Sequence, residues 1–360
     1  MRRLLMLSCI IFFVLLLGCQ FVSKEQKLYQ SGRQFVKEKK YPQAIGVFTD
    51  LSEFKDSNRL VEKLTYIVNG DYIGVGLAIV AAIRSDGTVI YKGGYEDTIS
   101  EEEWRNIKAI SINGEHLEAL NASGEITSTF NTEIEELEQS SLNSVQAMIP
   151  VIEQLPHLKG VATFQSDYPN NVVALLEDGT VKVLGTYLSE DELENVYTWK
   201  DIKAVEGRNE VVMGLKNDGT VVAEGDYRYR DEVTKWTDIV AISTFYSAFG
   251  LKRDGTVVAA GPCAVTRCKV EEWTDIIAIA AGENHTVGLR NDGTVISTGS
   301  NKYGQRNIED WTDIVAIDAS YYYTLGLKSD GSLVLAGSYL DGTNLDVTEF
   351  SGLMVPQVYE

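Results

Sequence analysis

Three histidines (His116, His157, His285) and four cysteines (Cys9, Cys19, Cys263, Cys268) are the scarce side chains of this 360-residue chain that could carry chemistry. Nucleophilic catalysis needs a thiol or hydroxyl beside a base, and no such pairing occurs at a recognised spacing. A phosphate-cradling glycine loop followed by Lys-Ser/Thr is absent, as is a zinc-binding helix motif. Cys263 and Cys268 fall in one loop, His285 falls in another, and four metal ligands cannot be assembled. The acidic runs Glu101-Glu102-Glu103 and Glu190-Asp191-Glu192 lack the spacing of a calcium loop and read as solvated charge. The sequence therefore predicts a protein that is not an enzyme and takes no cofactor and no metal.

Surface recognition is the chemistry that remains. Tyr168, Arg208, Tyr227, Arg228, Tyr229, Arg230, Phe245, Tyr246, Tyr321 and Tyr322 occupy loop positions that do not recur along the chain. Aromatic and arginine side chains at such positions are the anchors of protein interfaces, so this set is the candidate partner-binding face. The same tyrosines could instead cover strand edges. They could also stack on sugars, which keeps a glycan-binding or glycan-cleaving protein as the alternative. Nucleic acid is disfavoured, because 52 acidic residues against 32 basic ones give a net charge of −20.

Cys19 points to a different chemistry. Met1-Arg2-Arg3 is a positive start, Leu4 to Leu17 is an uncharged apolar run, and Leu16-Leu17-Gly18-Cys19 follows the pattern of a bacterial lipobox. The run is short for a permanent span, so residues 1–18 read as a lipoprotein signal peptide and Cys19 as the acylated (palmitate-bearing) residue. An ordinary secretory leader is the alternative. The expected location is the extracytoplasmic side of a bacterial cell membrane, held by the lipid alone. With Cys9 removed and Cys19 acylated, Cys263 and Cys268 are a candidate disulfide in an oxidising compartment.

The elements that position these residues repeat. Asp-Gly-Thr-type turns begin at Asp86, Asp178, Asp218, Asp254, Asp292 and Asp330, with a degenerate copy at Ser123. An apolar residue precedes each by three positions and a valine-like residue follows by three, as in Leu289 and Val295. The period, one long insertion aside, is about 36–40 residues, which implies a propeller or solenoid. In the best copy, Ile276 to Ala280, His285 to Leu289 and Thr294 to Thr298 read as three strands, the last two joined at Asn291-Asp292-Gly293. The repeated aspartates are then turn formers. Trp104, Trp199, Trp236, Trp273 and Trp311 share one phase of the repeat, which means packing between blades. The small residue four before each turn (Gly288, for example) fits strands crowded at a central axis. His285 reads as a packing or hydrogen-bonding residue, since Ser247 and Tyr323 take its place in other repeats.

Gly282-Glu-Asn-His-Thr-Val-Gly-Leu, then Asp-Gly-Thr, then Gly299-Ser-Asn-Lys-Tyr-Gly-Gln305 resembles the repeat of the RCC1 (regulator of chromosome condensation) family. The resemblance covers roughly four-fifths of the chain. It is specific in the last four repeats and weak in the first two. It implies a mainly β, seven-bladed propeller. Bacterial secreted members include protein inhibitors of β-lactamase that bind through loops on one face, so the resemblance implies a protein partner. Nuclear members act on a small GTPase and nucleosomes, tasks that do not suit an exported acidic lipoprotein.

The domain reading is a tether over 19–25, a helical hairpin over 26–66 that resembles one tetratricopeptide unit, and the propeller over 67–360. Lys39-Lys40-Tyr41-Pro42 is the expected turn of the hairpin, with Gly32 and Ala44 letting two helices approach. One such unit cannot bury both faces, so it docks on the propeller, pairs with another chain or serves as a stalk, the spacer role being favoured. Residues 131–156 read as a helical insertion, either rim decoration or a partner-binding flap. Phe350-Ser-Gly-Leu-Met-Val repeats the phase of Trp311-Thr-Asp-Ile-Val-Ala, so the C-terminal strand is expected to complete the first blade, in competition with Tyr72 and Ile73. The protein is expected to be a monomer.

Overall fold

A computed structural model describes residues 23–93, 104–114, 116–129, 149–151, 153–167, 171–185, 188–208, 211–225, 227–262, 268–340 and 345–356. The leader with Cys19, Tyr168, Cys263 and most of the 131–156 insertion lie outside the described residues.

Seven three-stranded antiparallel sheets follow one another along the chain. They are blade 1 (β1 Ile73–Val75, β2 Ile79–Ile83, β3 Val89–Gly93), blade 2 (β4 Ile107–Asn113, β5 His116–Asn121, β6 Ile126–Ser128) and blade 3 (β7 Val161–Asp167, β8 Asn171–Leu176, β9 Val181–Leu184). Blade 4 holds β10 Ile202–Arg208, β11 Val211–Lys216 and β12 Val221–Gly225, and blade 5 holds β13 Ile239–Thr244, β14 Ala248–Lys252 and β15 Val257–Ala260. Blades 6 and 7 are β16 Ile276–Ala281, β17 His285–Arg290, β18 Val295–Gly299 and β19 Ile314–Ala319, β20 Tyr323–Lys328, β21 Leu333–Gly337. The first strands of successive blades are neighbours around the centre, and β1 of blade 1 neighbours β19 of blade 7, so the sheets close into a seven-bladed propeller.

Each Asp-Gly-Thr motif turns the second strand into the third. Asp292 Oδ1 accepts from the Thr294 backbone N–H at 2.9 Å and from its hydroxyl at 2.7 Å, while Gly293 takes φ 84°, a conformation that suits a residue without Cβ. The degenerate turn moves the acceptor back: Asn121 Oδ1 receives the Ser123 and Glu125 backbone N–H groups, each at 3.0 Å.

The small residues before the turns have a different cause from the one expected. A Cβ on Gly214, Gly250, Gly288 or Gly326 would fall within 2.9 Å of the ring of Trp199, Trp236, Trp273 or Trp311 respectively. These glycines make room for the repeat tryptophan, not for a crowded axis. The tryptophans do pack between blades: Trp199 joins Val173 and Leu175 of blade 3 to Ile202 and Val205 of blade 4.

Blade 1 is closed by both candidates. Ile73 pairs with Ala82 as Ile279 pairs with Gly288, and Leu353 bridges Arg84 where Ile276 pairs with Arg290. Ile83 N–H donates to Tyr72 O at 2.9 Å and Met354 N–H donates to Ile83 O at 2.9 Å. The first strand is thus composite, its joint falling where the other six blades carry a register shift.

The N-terminal piece is three helices rather than a hairpin: α1 Lys24–Lys37, α2 Tyr41–Asp50 and α3 Ser57–Asn69. It docks on the propeller rather than standing off as a spacer. Phe48, Leu60 and Leu64 share a core with Val240, Phe249 and Trp273. Gln43 Nε2 donates to Asp254 O at 3.0 Å, and Arg253 Nη1 to Asp50 Oδ2 at 2.9 Å, so the helices cap the end that carries the Asp-Gly-Thr turns. The residue at each register shift explains where the cap sits. In blade order around the ring these positions hold Met354, Lys108, Ala162, Lys203, Val240, Ile277 and Val315. Val240 packs on the helices, Ile277 in a cluster with Tyr41, Val315 in one with Tyr66, and Met354 Sδ lies 4.0 Å from the Tyr66 hydroxyl. The cap covers the apolar arc and leaves the blades bearing the two lysines uncovered.

Candidate partner-binding face

At the end opposite the cap, the turns between first and second strands meet the segments that leave the third strands. Phe245, in the β13–β14 turn, is 2% exposed and anchors an aromatic arc. Its ring lies 5.3 Å from that of Tyr246 and 5.2 Å from that of Tyr321, both edge-on. Tyr321 approaches Tyr322 at 6.3 Å, and Tyr322 approaches Tyr303 at 4.6 Å and Tyr339 at 6.1 Å. Arg208, the last residue of β10, places its guanidinium 5.0 Å from the Phe245 ring centre. Tyr246 is 41% exposed and presents the arc to solvent. Burial, then the nearby Glu283 charge, pushes the Tyr322 phenol up.

The structure brings Arg208, Phe245, Tyr246, Tyr321 and Tyr322 together. Phe245 is a buried support rather than an exposed anchor. Arg230 stands apart: it lies in helix α4 (Tyr227–Val233), packed on β12 and β15, and pairs with Glu224 at 3.5 Å. Tyr227, Arg228 and Tyr229 belong to the same helix, so none of this run joins the arc as a loop residue. Tyr303 and Tyr339 were missed by the sequence reading. They sit four residues after Gly299 and two after Gly337, in exit segments that begin at the same end as the first turns, and that position is the signal.

Behind Arg208 the centre of the ring is narrow. A cavity of about 80 Å³, enough for a handful of waters, is lined by first strands and by the Asp71 and Asp318 carboxyls. Val75 N–H donates to Asp318 Oδ2 at 2.8 Å. Burial raises Asp318 to about 6, opposed by that hydrogen bond and by Arg208, and raises Asp71 to about 7. This volume does not admit a partner, so recognition at this end belongs to the rim.

Elsewhere, His285 is fully buried and its Nε2 lies 2.9 Å from Thr324 Oγ1, which itself donates to Gln305 O at 2.7 Å. The threonine proton is thereby committed, so Nε2 is the donor. Desolvation lowers His285 to about 4, the state of a structural histidine. Cys268 is disulfide-bonded. Among the described residues no group of three His, Cys, Asp or Glu side chains could hold a metal, and no helix is long and apolar enough to cross a membrane.

Residues 276–305 match the family model of the regulator of chromosome condensation (RCC1) repeat, the stretch that contains the best copy of the motif. No curated protein matches the chain. Among solved structures, Prp20p from Saccharomyces cerevisiae, described with its binding to Gsp1p and histones, is similar at 15% identity and a TM-score of 0.52, over 76% of this chain and 84% of that one. The yeast RCC1 (Prp20) bound to Kap60 is similar at 16% identity and a TM-score of 0.50, over 76% and 82%. The ectodomain of the Arabidopsis thaliana receptor kinase ACR4 is similar at 15% identity and a TM-score of 0.51, over 74% and 95%. The chain therefore carries an RCC1 repeat on a propeller fold like that of these proteins.

Proposed function

We propose that this chain is a non-enzymatic, lipid-anchored interaction module that binds a protein through the aromatic rim of its propeller. The observation that carries the reading is the arc from Tyr246 through Phe245, Tyr321 and Tyr322 to Tyr303 and Tyr339, with Arg208 beside it. Rigid aromatic groups clustered around a buried support supply contact area at little entropic cost. The cap occupies the opposite end, which leaves the rim for a partner. Prp20p, a propeller of the same fold, binds protein partners, in line with this use of the architecture. The anchor rests on the Leu16-Leu17-Gly18-Cys19 motif, and the location proposed with it is the extracytoplasmic side of a bacterial membrane.

The test compares the soluble chain from Ser23 onward with its Tyr246→Ala/Tyr321→Ala/Tyr322→Ala variant. Both are used as bait on cross-linked cell-envelope proteins and on purified cell-wall glycan. A protein held by the first bait and lost by the second supports the reading. Equal capture by both overturns it, and loss confined to the glycan arm replaces it with glycan recognition. For the anchor, acyl labelling and detergent partitioning of the full chain should mark Cys19. An unlabelled chain in the aqueous phase means simple secretion.

A further inference from the structure

The cap leaves a cleft of about 760 Å³ between α3 and the turn ends of blades 2, 3 and 4, at the end of the ring opposite the aromatic rim. Its floor holds Lys108, Ala162 and Lys203, the register-shift residues of those three blades. The four equivalent positions beneath the cap are apolar, so the lysines are not a property of the repeat. They appear only where the floor is open.

Lys108 Nζ donates to Val161 O at 3.1 Å. The Lys203 ammonium makes no direct hydrogen bond or ion pair with any of the described residues, and the carboxylate that acts on it from a distance is Asp218. Arg253, by contrast, is paired with Asp50. Lys203 is held half-buried, and desolvation first, then the Arg253 charge, lowers it to about 8 against the opposing pull of the Asp218 carboxylate. An ammonium group in this position is stabilised by an anion that enters the cleft. Thr65 and Asn69 from α3 and Thr163 and Asn217 from the blades bring hydroxyl and amide groups to the wall, among the apolar side chains of Val61, Leu175 and Ile202. Glu62 and Glu177 stand at the solvent-exposed edge, where the Glu177 charge opposes the lowering of Lys108 by desolvation, and burial holds Asp71 toward its neutral form.

We propose that this cleft binds a phosphate-bearing polyol, the phosphate on Lys203 and Lys108 and the hydroxyls on the Thr and Asn wall. Two ammonium groups match the nearly double negative charge of a phosphomonoester, and the volume suits a small hydrophilic molecule. The phosphate is that of a soluble polyol phosphate or of a lipid headgroup, and the two sources are separable.

Calorimetric titration of the chain from Ser23 onward with glycerol 3-phosphate is the direct test, with glycerol as the neutral control. Saturable binding of glycerol 3-phosphate is expected, weakened about tenfold or more by Lys203→Met, weakened also by Lys108→Met, and unchanged by Lys302→Met on the other end. Thermal melts of each variant establish that it is folded. Sedimentation with phosphatidylglycerol vesicles assigns the source: Lys203-dependent vesicle binding that glycerol 3-phosphate displaces means a headgroup, and binding of the free compound alone means a soluble ligand. No Lys203-dependent binding of either probe up to about 10 mM, or binding that survives both lysine substitutions, overturns the proposal.

Discussion

Leu353 pairs antiparallel with Arg84, which places the end of the chain in the same blade as its first strands. The contact holds the position that Ile276 holds opposite Arg290, and Phe350 is buried three residues earlier, as Trp273 is. Ring closure therefore depends on a few buried side chains. Leu353 is 6% exposed, so Leu353→Ala should cost about 2–4 kcal/mol by urea denaturation. Glu349→Ala, which removes an exposed pair with Lys92, should cost under about 1 kcal/mol. Equal effects from the two would mean that the closure contributes nothing to stability.

The tryptophan–glycine contact gives a second expectation. A methyl group on Gly288 would lie 2.8 Å from the Trp273 ring, with Ile276 Cδ1 3.2 Å away on the other side. Gly288→Ala should destabilise by about 1–3 kcal/mol through overpacking. Trp273→Phe in the Gly288→Ala background should cost less than Trp273→Phe alone, because the smaller ring vacates the space. A double-mutant cycle measures this coupling, and an additive result would mean that the two sites do not share the space.

Much of this architecture is legible in the sequence because it repeats. The Asp292 turn and the Trp273 phase recur with every blade, so each copy corroborates the others. What does not repeat is harder to read. The three-helix cap looks like a two-helix hairpin because Lys55 and Asp56 give no strong break before α3, and its seat depends on Val240, Ile277 and Val315, which look like ordinary strand residues. Tyr246, Tyr321 and Tyr322 were legible as rim residues since they fall in turns. Tyr227 to Arg230 have the same composition, but they begin helix α4, which packs on β12 and β15.

Docking of the cap is itself testable. Val240 is 3% exposed and shares a core with the helices. Val240→Asp buries a charge against them, and the resulting penalty of several kcal/mol should release the cap rather than unfold seven blades. Limited proteolysis should then cut within the released helices faster than in the parent and leave a stable propeller fragment. Uniform digestion of the whole chain would show instead that cap and propeller unfold as one unit.

The last expectation concerns pH. Glu118 on β5 is 4% exposed; its Oε2 accepts from the Ser166 hydroxyl at 2.9 Å and its Oε1 from the Ser128 hydroxyl at 3.3 Å. Desolvation outweighs both bonds and raises the carboxyl to about 7, against an ordinary value of 4.5. Between those two values the folded protein holds a proton that the unfolded chain has released. Stability therefore falls as pH rises through this window, and the penalty is complete above about 7, on the order of 3 kcal/mol. His285 and His116, both lowered to about 4 by burial, act in the opposite sense and cost stability as pH falls below 6.5. Their effect is common to parent and variant, so it cancels in a comparison with Glu118→Gln, which keeps an acceptor for Ser166 but cannot ionise. Relative to the parent, the variant should be nearly unchanged near pH 4.5 and more stable near pH 8. A stability difference that stays flat across the window would mean that Glu118 ionises freely in the folded protein and that its burial is relieved by water.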